Sequence, residues 1–249
     1  MWNFLGIKTK INQVKNKRMI SKEVLINLFF PKFCFGCFKE GEYLCSDCLK
    51  KISKEELSCP ICRRVNFKGI FCPSHQRYSK LEGLLFYSNF SELPQKLVYG
   101  LKYEGLKDIG KLMANLMSER LKEHFLFQDK DRIILCPLPL YWLKKLKRGF
   151  NQAEVLTRNI GQNLNLEILN LLLRIKNTQS QTQLEKIERQ KNVANAFFLS
   201  QKINPDQIRD KIIILIDDVY TTGYTLNAAA KELKKLKPKS IWGLVFAKD

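Results

Sequence analysis

Residues 212–226 read IIILIDDVYTTGYTL. A short, mostly β-branched run leads straight into Asp217 and Asp218, then Thr221, Thr222, Gly223, Tyr224 and Thr225, and then a helical pattern. The apolar run predicts a strand built for burial, and open parallel sheets bind ligands beyond the carboxyl ends of their strands. The first amides of the following helix lack internal partners and carry partial positive charge. A phosphate suits that turn, held by backbone N–H groups and threonine hydroxyls. Gly223, having no Cβ, is expected to let the backbone approach the anion. The carboxylates would repel a phosphate, but they suit the vicinal hydroxyls of a ribose attached to one. Acid pair and cradle together describe a clamp for a ribose 5-phosphate. A loop start or a helix cap would explain either half alone.

A second group of residues points to metal. Seven of the eight cysteines fall between positions 34 and 72, as Cys34-x-x-Cys37, Cys45-x-x-Cys48 and Cys59-x-x-Cys62, followed by Cys72-x-x-His75. A two-residue spacer lets both ligands of a knuckle face one tetrahedral ion, and four knuckles in succession supply ligands for two zinc ions. Taken in order, the first site has four cysteines and the second three cysteines and a histidine; an interleaved pairing satisfies the same spacing. Closed four-ligand sites are structural, folding a segment too poor in core to fold alone. A disulfide framework would need an oxidising compartment, which nothing in the sequence indicates.

The elements that position these residues follow from the remaining pattern. The sequence of 249 residues carries Lys+Arg 43 against Asp+Glu 24, a net charge of +19, which favours a polyanionic partner. Two filled zinc sites with seven thiolates lower this only to about +16. No apolar run is long enough to span a membrane and the start lacks a signal-peptide core, so a cytoplasmic location is expected. Residues 1–30 read as a basic lead-in helix, 31–80 as a double zinc-ribbon module, and 81–249 as alternating strands and helices of an α/β domain. Strands are expected at Gly83–Ser88, Arg132–Leu140, Ile212–Ile216 and in IWGLVFA. Helices are expected over Glu92–Leu101, Ile109–Phe125 with Leu112, Leu116 and Leu121 inward, Asn151–Leu164, and Thr225–Leu236 with Leu226, Ala229, Leu233 and Leu236 inward. QTQLEKIERQKN is expected as a mobile loop or short exposed helix. Cys136 reads as a buried strand residue and His124 as surface. GLKDIGKL has P-loop spacing but ends in leucine where a hydroxyl is required, so it carries no such site.

The acid pair and threonine loop fit the PRPP-binding signature of type I phosphoribosyltransferases. The order of further motifs resembles the ComF family, competence-associated phosphoribosyltransferase-like proteins with an N-terminal zinc ribbon. The resemblance runs over roughly residues 24–247 through LINLFFPKFCFGC, GLKYEG, CPLPLYWLKKLKRGFNQAEVL and RIKNTQSQTQLEKIERQKNVANAF. It implies a type I phosphoribosyltransferase-like, mainly parallel sheet flanked by helices, and a link to DNA uptake. By position it implies Asp217 and Asp218 as ribose-binding acids and Thr221 to Thr225 as the 5-phosphate loop. Arg148 and Gly149 fall where pyrophosphate is held, and Arg174, Gln181 and Arg189 at or within a closing loop. Lys102 is a further candidate for phosphate contact. Magnesium would accompany PRPP, and any catalysis would be phosphoribosyl transfer. Aromatic residues interleaved with lysines in PKFCFGCFK and YWLKKLKRGF suit single-stranded DNA. A scaffold that docks a helicase-like partner is the third expectation.

Overall fold

The structure is a computed structural model that describes residues 31–176, 195–201 and 203–249. The expected lead-in helix, Gln181, Arg189 and the QTQLEKIERQKN stretch lie outside the described residues. The chain divides into two compact units, Met1–Cys48 and Leu49–Asp249.

In the larger unit, five parallel strands make one sheet: β1 (Gly83–Asn89), β2 (Ile133–Pro137), β3 (Glu167–Ile168), β6 (Ile212–Tyr220) and β7 (Ser240–Lys248), in the order β1-β7-β6-β2-β3. The central strands are buried on both faces, which is why they read as unbroken Ile, Leu and Val runs. Between them come α1 (Glu92–Tyr103), α2 (Lys107–Lys122), α3 (Trp142–Arg148), α4 (Gln152–Leu164) and α5 (Tyr224–Leu233). Helices α2 and α4 pack on each other and on the sheet. At their crossing Gly110 lets Val155 and Leu101 close in. Helix α5 lies over Gly243 through Leu226, while Trp242 points to the other face against His124 and Phe125. A separate antiparallel pair joins β4 (Leu172–Arg174) to β5 (Phe197–Leu199).

The topology fixes where a ligand can sit. From β2 the chain moves outward to β3, and from β6 it moves the other way to β7. The order therefore reverses between β2 and β6, leaving a crevice at their carboxyl ends. The β2 ladder ends with Pro137 opposite Ile216 and one last bond from the Leu138 amide to the Ile216 carbonyl at 3.0 Å; the Leu138 carbonyl turns away from β6 to the Asn151 side chain. On its other side β6 continues to pair with β7, Asp217 opposite Val245 and Val219 opposite Ala247. Strand β6 thus runs on to Tyr220 rather than stopping at Ile216, and the aspartates belong to the strand.

Other boundaries shift for local reasons. Helix α2 starts at Lys107, two residues earlier than its apolar pattern suggested, and its buried face carries Ile109, Met113, Leu116, Met117 and Leu121, with Leu112 only half-buried. Leu226, Ala229, Leu233 and Leu236 are buried as expected, with the last in a 3₁₀ turn. Cys136 is fully buried, and its thiol is pushed up to about 12 by that burial. His124 departs from expectation. It is buried, accepts from the Leu126 amide and reaches the Lys68 carbonyl at 3.0 Å. A single histidine near a helix end gives no sequence sign of such a pocket.

Gly83, at the start of β1, tests the packing: an added Cβ would lie 2.2 Å from the Trp242 ring and 2.7 Å from the Gly69 carbonyl. Gly83→Ala is expected to lower unfolding stability by about 1–3 kcal/mol, read from denaturant midpoints. A change below about 0.5 kcal/mol would mean that the Trp242 ring is free to move aside.

Candidate functional site

The crevice is assembled from four elements. Gly149 ends α3 with a left-handed backbone, φ +79°, and nothing within 4 Å of its missing Cβ, so the turn rather than crowding calls for glycine. Asn151 then caps α4, accepting from the Ala153 amide at 3.1 Å and donating to the Leu138 carbonyl at 3.0 Å. That second bond ties the helix start to the end of β2 and presents Gln152 to the crevice. Gln152 donates to Asp218 Oδ1 at 3.3 Å and accepts from Arg148. Lys102, from the last turn of α1, forms an ion pair with Asp218 Oδ2. Arg148, Gln152, Asp218 and Lys102 therefore form one chain of charge and hydrogen bonds. The sequence pointed to Arg148, Asp218 and Lys102 for one ligand, but did not reveal Gln152 as their link. Its signal was the Asn-Gln pair directly after Arg-Gly-Phe.

The electrostatics follow from burial. Asp218 is 2% exposed. Burial alone would raise its pKa, but the Lys102 ammonium, hydrogen bonding with Asp217 and the Gln152 amide outweigh that and hold the carboxyl below its usual value. Lys102 is raised in return: burial works against its charge, and Asp218 and Asp217 more than offset it. Asp217, one residue earlier on the strand and half-buried, accepts from the Asp218 amide at 2.9 Å. Burial, and then the Asp218 charge, push its pKa well above the carboxylate range. Arg174, in β4, lies with its guanidinium 5.3 Å from the Phe197 ring centre; burial lowers its pKa and Asp217 partly restores it.

Past Tyr220 the chain turns through Thr221 and Thr222 into α5, whose N-cap is Gly223 at φ +75°. Gly223 has a different use from the one its position suggested. An added Cβ would meet the Tyr220 ring at 2.3–2.8 Å, so the space is filled by Tyr220 rather than kept for an anion. The Tyr220 phenol is buried, which pushes it up to about 12. Thr222 Oγ1 is buried without a hydrogen-bond partner, a donor that a bound anion's oxygen would satisfy. On their outer side Thr221, Thr222 and Tyr224 line a cavity of about 900 Å³, whose far wall includes Arg63, His75 and Lys80. Asp217, Asp218, Lys102 and Arg148 do not line it.

The eight metal-ligand candidates separate into two groups, Cys34, Cys37, Cys45 and Cys48 in the smaller unit and Cys59, Cys62, Cys72 and His75 in the larger. The ligand atoms of each group lie within 4.8 Å of one another. This is the in-order pairing. No disulfide is formed among these cysteines. Sulfur–sulfur separations of 3.7 and 3.6 Å in the first group, and 3.6 Å in the second, approach the edge of about 3.8 Å that four ~2.3 Å zinc–sulfur bonds define. Both groups use one local design. The residue after the second cysteine, Phe38 or Arg63, takes a left-handed backbone, and its amide returns to the carbonyl of the first cysteine at 2.8 and 2.9 Å. In each group burial opposes a thiolate at the first cysteine. Backbone amides, chiefly that of Cys45 at Cys34 and that of Cys62 at Cys59, nonetheless bring both down to about 6. Cys48 is pushed up to about 12 by burial and its sulfur neighbours. Such a cluster can be fully ionised only around a cation, so both groups could hold zinc.

The sequence profile of the Phosphoribosyl transferase domain family matches residues 102–248. Competence protein F of Haemophilus influenzae is 29% identical over 234 residues, spanning 88% of this chain and 99% of that protein. Competence protein ComFC of Bacillus subtilis is 27% identical over 212 residues, 82% of this chain and 83% of its own. Its counterpart in Streptococcus pneumoniae is 29% identical over 207 residues, 80% of this chain and 84% of its own.

Two expectations follow from this geometry. Metal analysis of the purified protein should find about two zinc ions per chain, and about one after either Cys37→Ser or Cys62→Ser. Loss of both ions from a single substitution would contradict two independent clusters. Lys102→Met leaves a buried, uncompensated Asp218 and is expected to cost about 3 kcal/mol at neutral pH. Because pairing depresses the Asp218 pKa, its contribution exists at neutral pH and disappears as pH falls through the folded value. The penalty should therefore shrink in acid. Lys102→Met with Asp218→Asn should recover most of the loss.

Proposed function

The chain belongs to the phosphoribosyl transferase domain family and, within it, to the ComF competence proteins, and from that premise we propose that it binds PRPP at the carboxyl end of β6. One observation carries the reading. A buried carboxylate, Asp218, is paired with Lys102 and linked through Gln152 to Arg148, immediately before a hydroxyl-rich turn that opens α5. Such a pair is suited to exchange with a ligand that brings both complements at once. A phosphate takes Lys102, and a ribose hydroxyl donates to the Asp218 oxygen that Lys102 releases. Lys102 thus holds the ligand's place, and Asp218 is never left as a bare buried charge.

In this reading Thr221, Thr222 and Thr225, with the first amides of α5, hold the 5-phosphate. Asp217 and Asp218 accept from the ribose hydroxyls. Lys102 and Arg148 face the pyrophosphate, and Gly149 fixes the turn that delivers Arg148. Arg174, in β4, adds a cation within electrostatic reach of Asp217. Magnesium bound with PRPP would neutralise the pyrophosphate and help draw it away. The chain's own contribution to transfer is positioning, together with charge set where charge develops: cations at the departing pyrophosphate, the Asp218 carboxylate beneath a ribose turning positive. Zinc in the two clusters is structural. The names of the relatives support a part in competence.

A second reading is favoured by a specific surface. Tyr99 and Tyr103 are exposed with ring centres 4.8 Å apart, and the Arg148 guanidinium lies 5.5 Å from the Tyr103 ring. Trp142 and Leu146 are exposed on α3 among its lysines. Ring faces beside cations suit the bases and backbone of single-stranded DNA.

PRPP with magnesium is expected to raise the melting temperature, and Asp218→Asn to remove the shift. No shift at millimolar PRPP would end the first reading. For the second, the logarithm of affinity for an oligothymidylate should fall linearly with log salt, and Trp142→Ala with Tyr103→Ala should weaken binding. Absence of binding at about 50 mM salt would exclude it.

A further inference from the structure

The second metal cluster and the threonine loop are joined by a continuous path of short-range bonds that neither function requires by itself. From Cys72 the chain makes one helical turn, Pro73–Gln76. The amides of His75 and Gln76 both return to the Cys72 carbonyl, at 2.8 and 2.9 Å, and the Tyr78 amide returns to the His75 carbonyl at 3.0 Å. Once the metal ligands are in place, the backbone as far as Lys80 has little freedom. There it meets α5. Asn227 Oδ1 accepts from the Lys80 amide at 2.6 Å, and Asn227 Nδ2 donates to the Tyr78 carbonyl at 3.4 Å. Both ends of one side-chain amide are spent on the same piece of backbone. The backbone amide of Asn227 closes on the Gly223 carbonyl at 2.9 Å, the first turn of α5 directly after Thr221 and Thr222. Beside this polar link Leu81 and Leu226 are both buried against Gly243, so the two segments share apolar cover as well.

We infer that Asn227 is a positioning residue that couples occupancy of the Cys59–Cys62–Cys72–His75 cluster to the geometry of the phosphate-binding turn. The inference rests on the PRPP reading above. A metal ion fixes the knuckle, the knuckle fixes the Tyr78–Lys80 backbone, and Asn227 passes that register to the helix start that must present its amides and the Thr222 hydroxyl to an anion. His75 and Thr221 line the same cavity. The alternative is that Asn227 is a surface amide with two incidental bonds. Linkage separates these cases, because coupling between two binding events must act in both directions.

The test uses the full zinc-loaded chain and PRPP with magnesium, followed by thermal shift and by the rate at which zinc passes to a chromogenic chelator. In the unaltered protein PRPP is expected to slow the release of one of two zinc ions by roughly fivefold. Asn227→Leu should keep about two zinc ions and the same circular dichroism, bind PRPP roughly fivefold more weakly, and lose the effect of PRPP on zinc release. Asn227→Asp, which retains the acceptor for the Lys80 amide, should fall between. A protein that binds PRPP without slowing zinc release, or an Asn227→Leu variant that still slows it, overturns the coupling and leaves the PRPP reading intact. An unaltered protein with no thermal response to PRPP overturns the PRPP reading, and the coupling with it.

Discussion

The constraint on which the site depends is the cost of burying Asp218. A carboxylate with almost no exposure must be paired and hydrogen-bonded or give up its charge. Lys102 and Gln152 meet that demand, and in doing so bind three helices to one strand. Lys102 comes from the end of α1 and Gln152 from the start of α4, while Arg148, from the end of α3, is held by the other end of the Gln152 amide. Helices α1 and α4 are placed by their apolar faces, whereas α3 buries none of its residues, and the ends of all three converge on one carboxylate. Arg148 and Lys102 therefore stand where two cations can meet one anionic ligand.

The sheet makes that arrangement available by ending unevenly. Strand β6 loses its partner on one side at Pro137 and keeps it on the other as far as Tyr220. Asp217 and Asp218 thus sit on backbone that is paired with β7 on one side and has no strand neighbour on the other. A loop would have offered access without rigidity, and a fully paired strand rigidity without access. The same economy appears at the cysteine clusters. Short segments with little apolar content gain order from four ligands and from the amide bonds that the knuckle turn imposes, repeated with the same left-handed residue in both groups.

Much of this was legible before the structure. The strand ending in two acids, the hydroxyl turn and the helix after it came from local pattern, and so did the eight metal-ligand positions. Others were not legible. The Gly223 hydrogen faces the Tyr220 ring instead of open space, a contact that depends on how a residue three positions earlier folds back. His124 looked like surface because its pocket is built by Lys68, Phe125 and Trp242, and two of these are far away in sequence. Gln152 gave only the faint sign of an Asn-Gln pair after Arg-Gly-Phe, because an amide at a helix start is usually only a cap.

What the sequence determined by itself was the set of chemical parts and their local setting: burial by β-branched runs, ligand spacing, a helix start after threonines. These are near-neighbour effects, decided by side-chain type over a few residues. Tertiary structure decided which parts meet. Lys102 and Gln152 reach Asp218, and Arg148 reaches Gln152, only because the strand order reverses between β2 and β6 and brings three helix ends together there. No local pattern encodes that meeting, since it depends on charge compensation between Lys102 and Asp218, far apart along the chain.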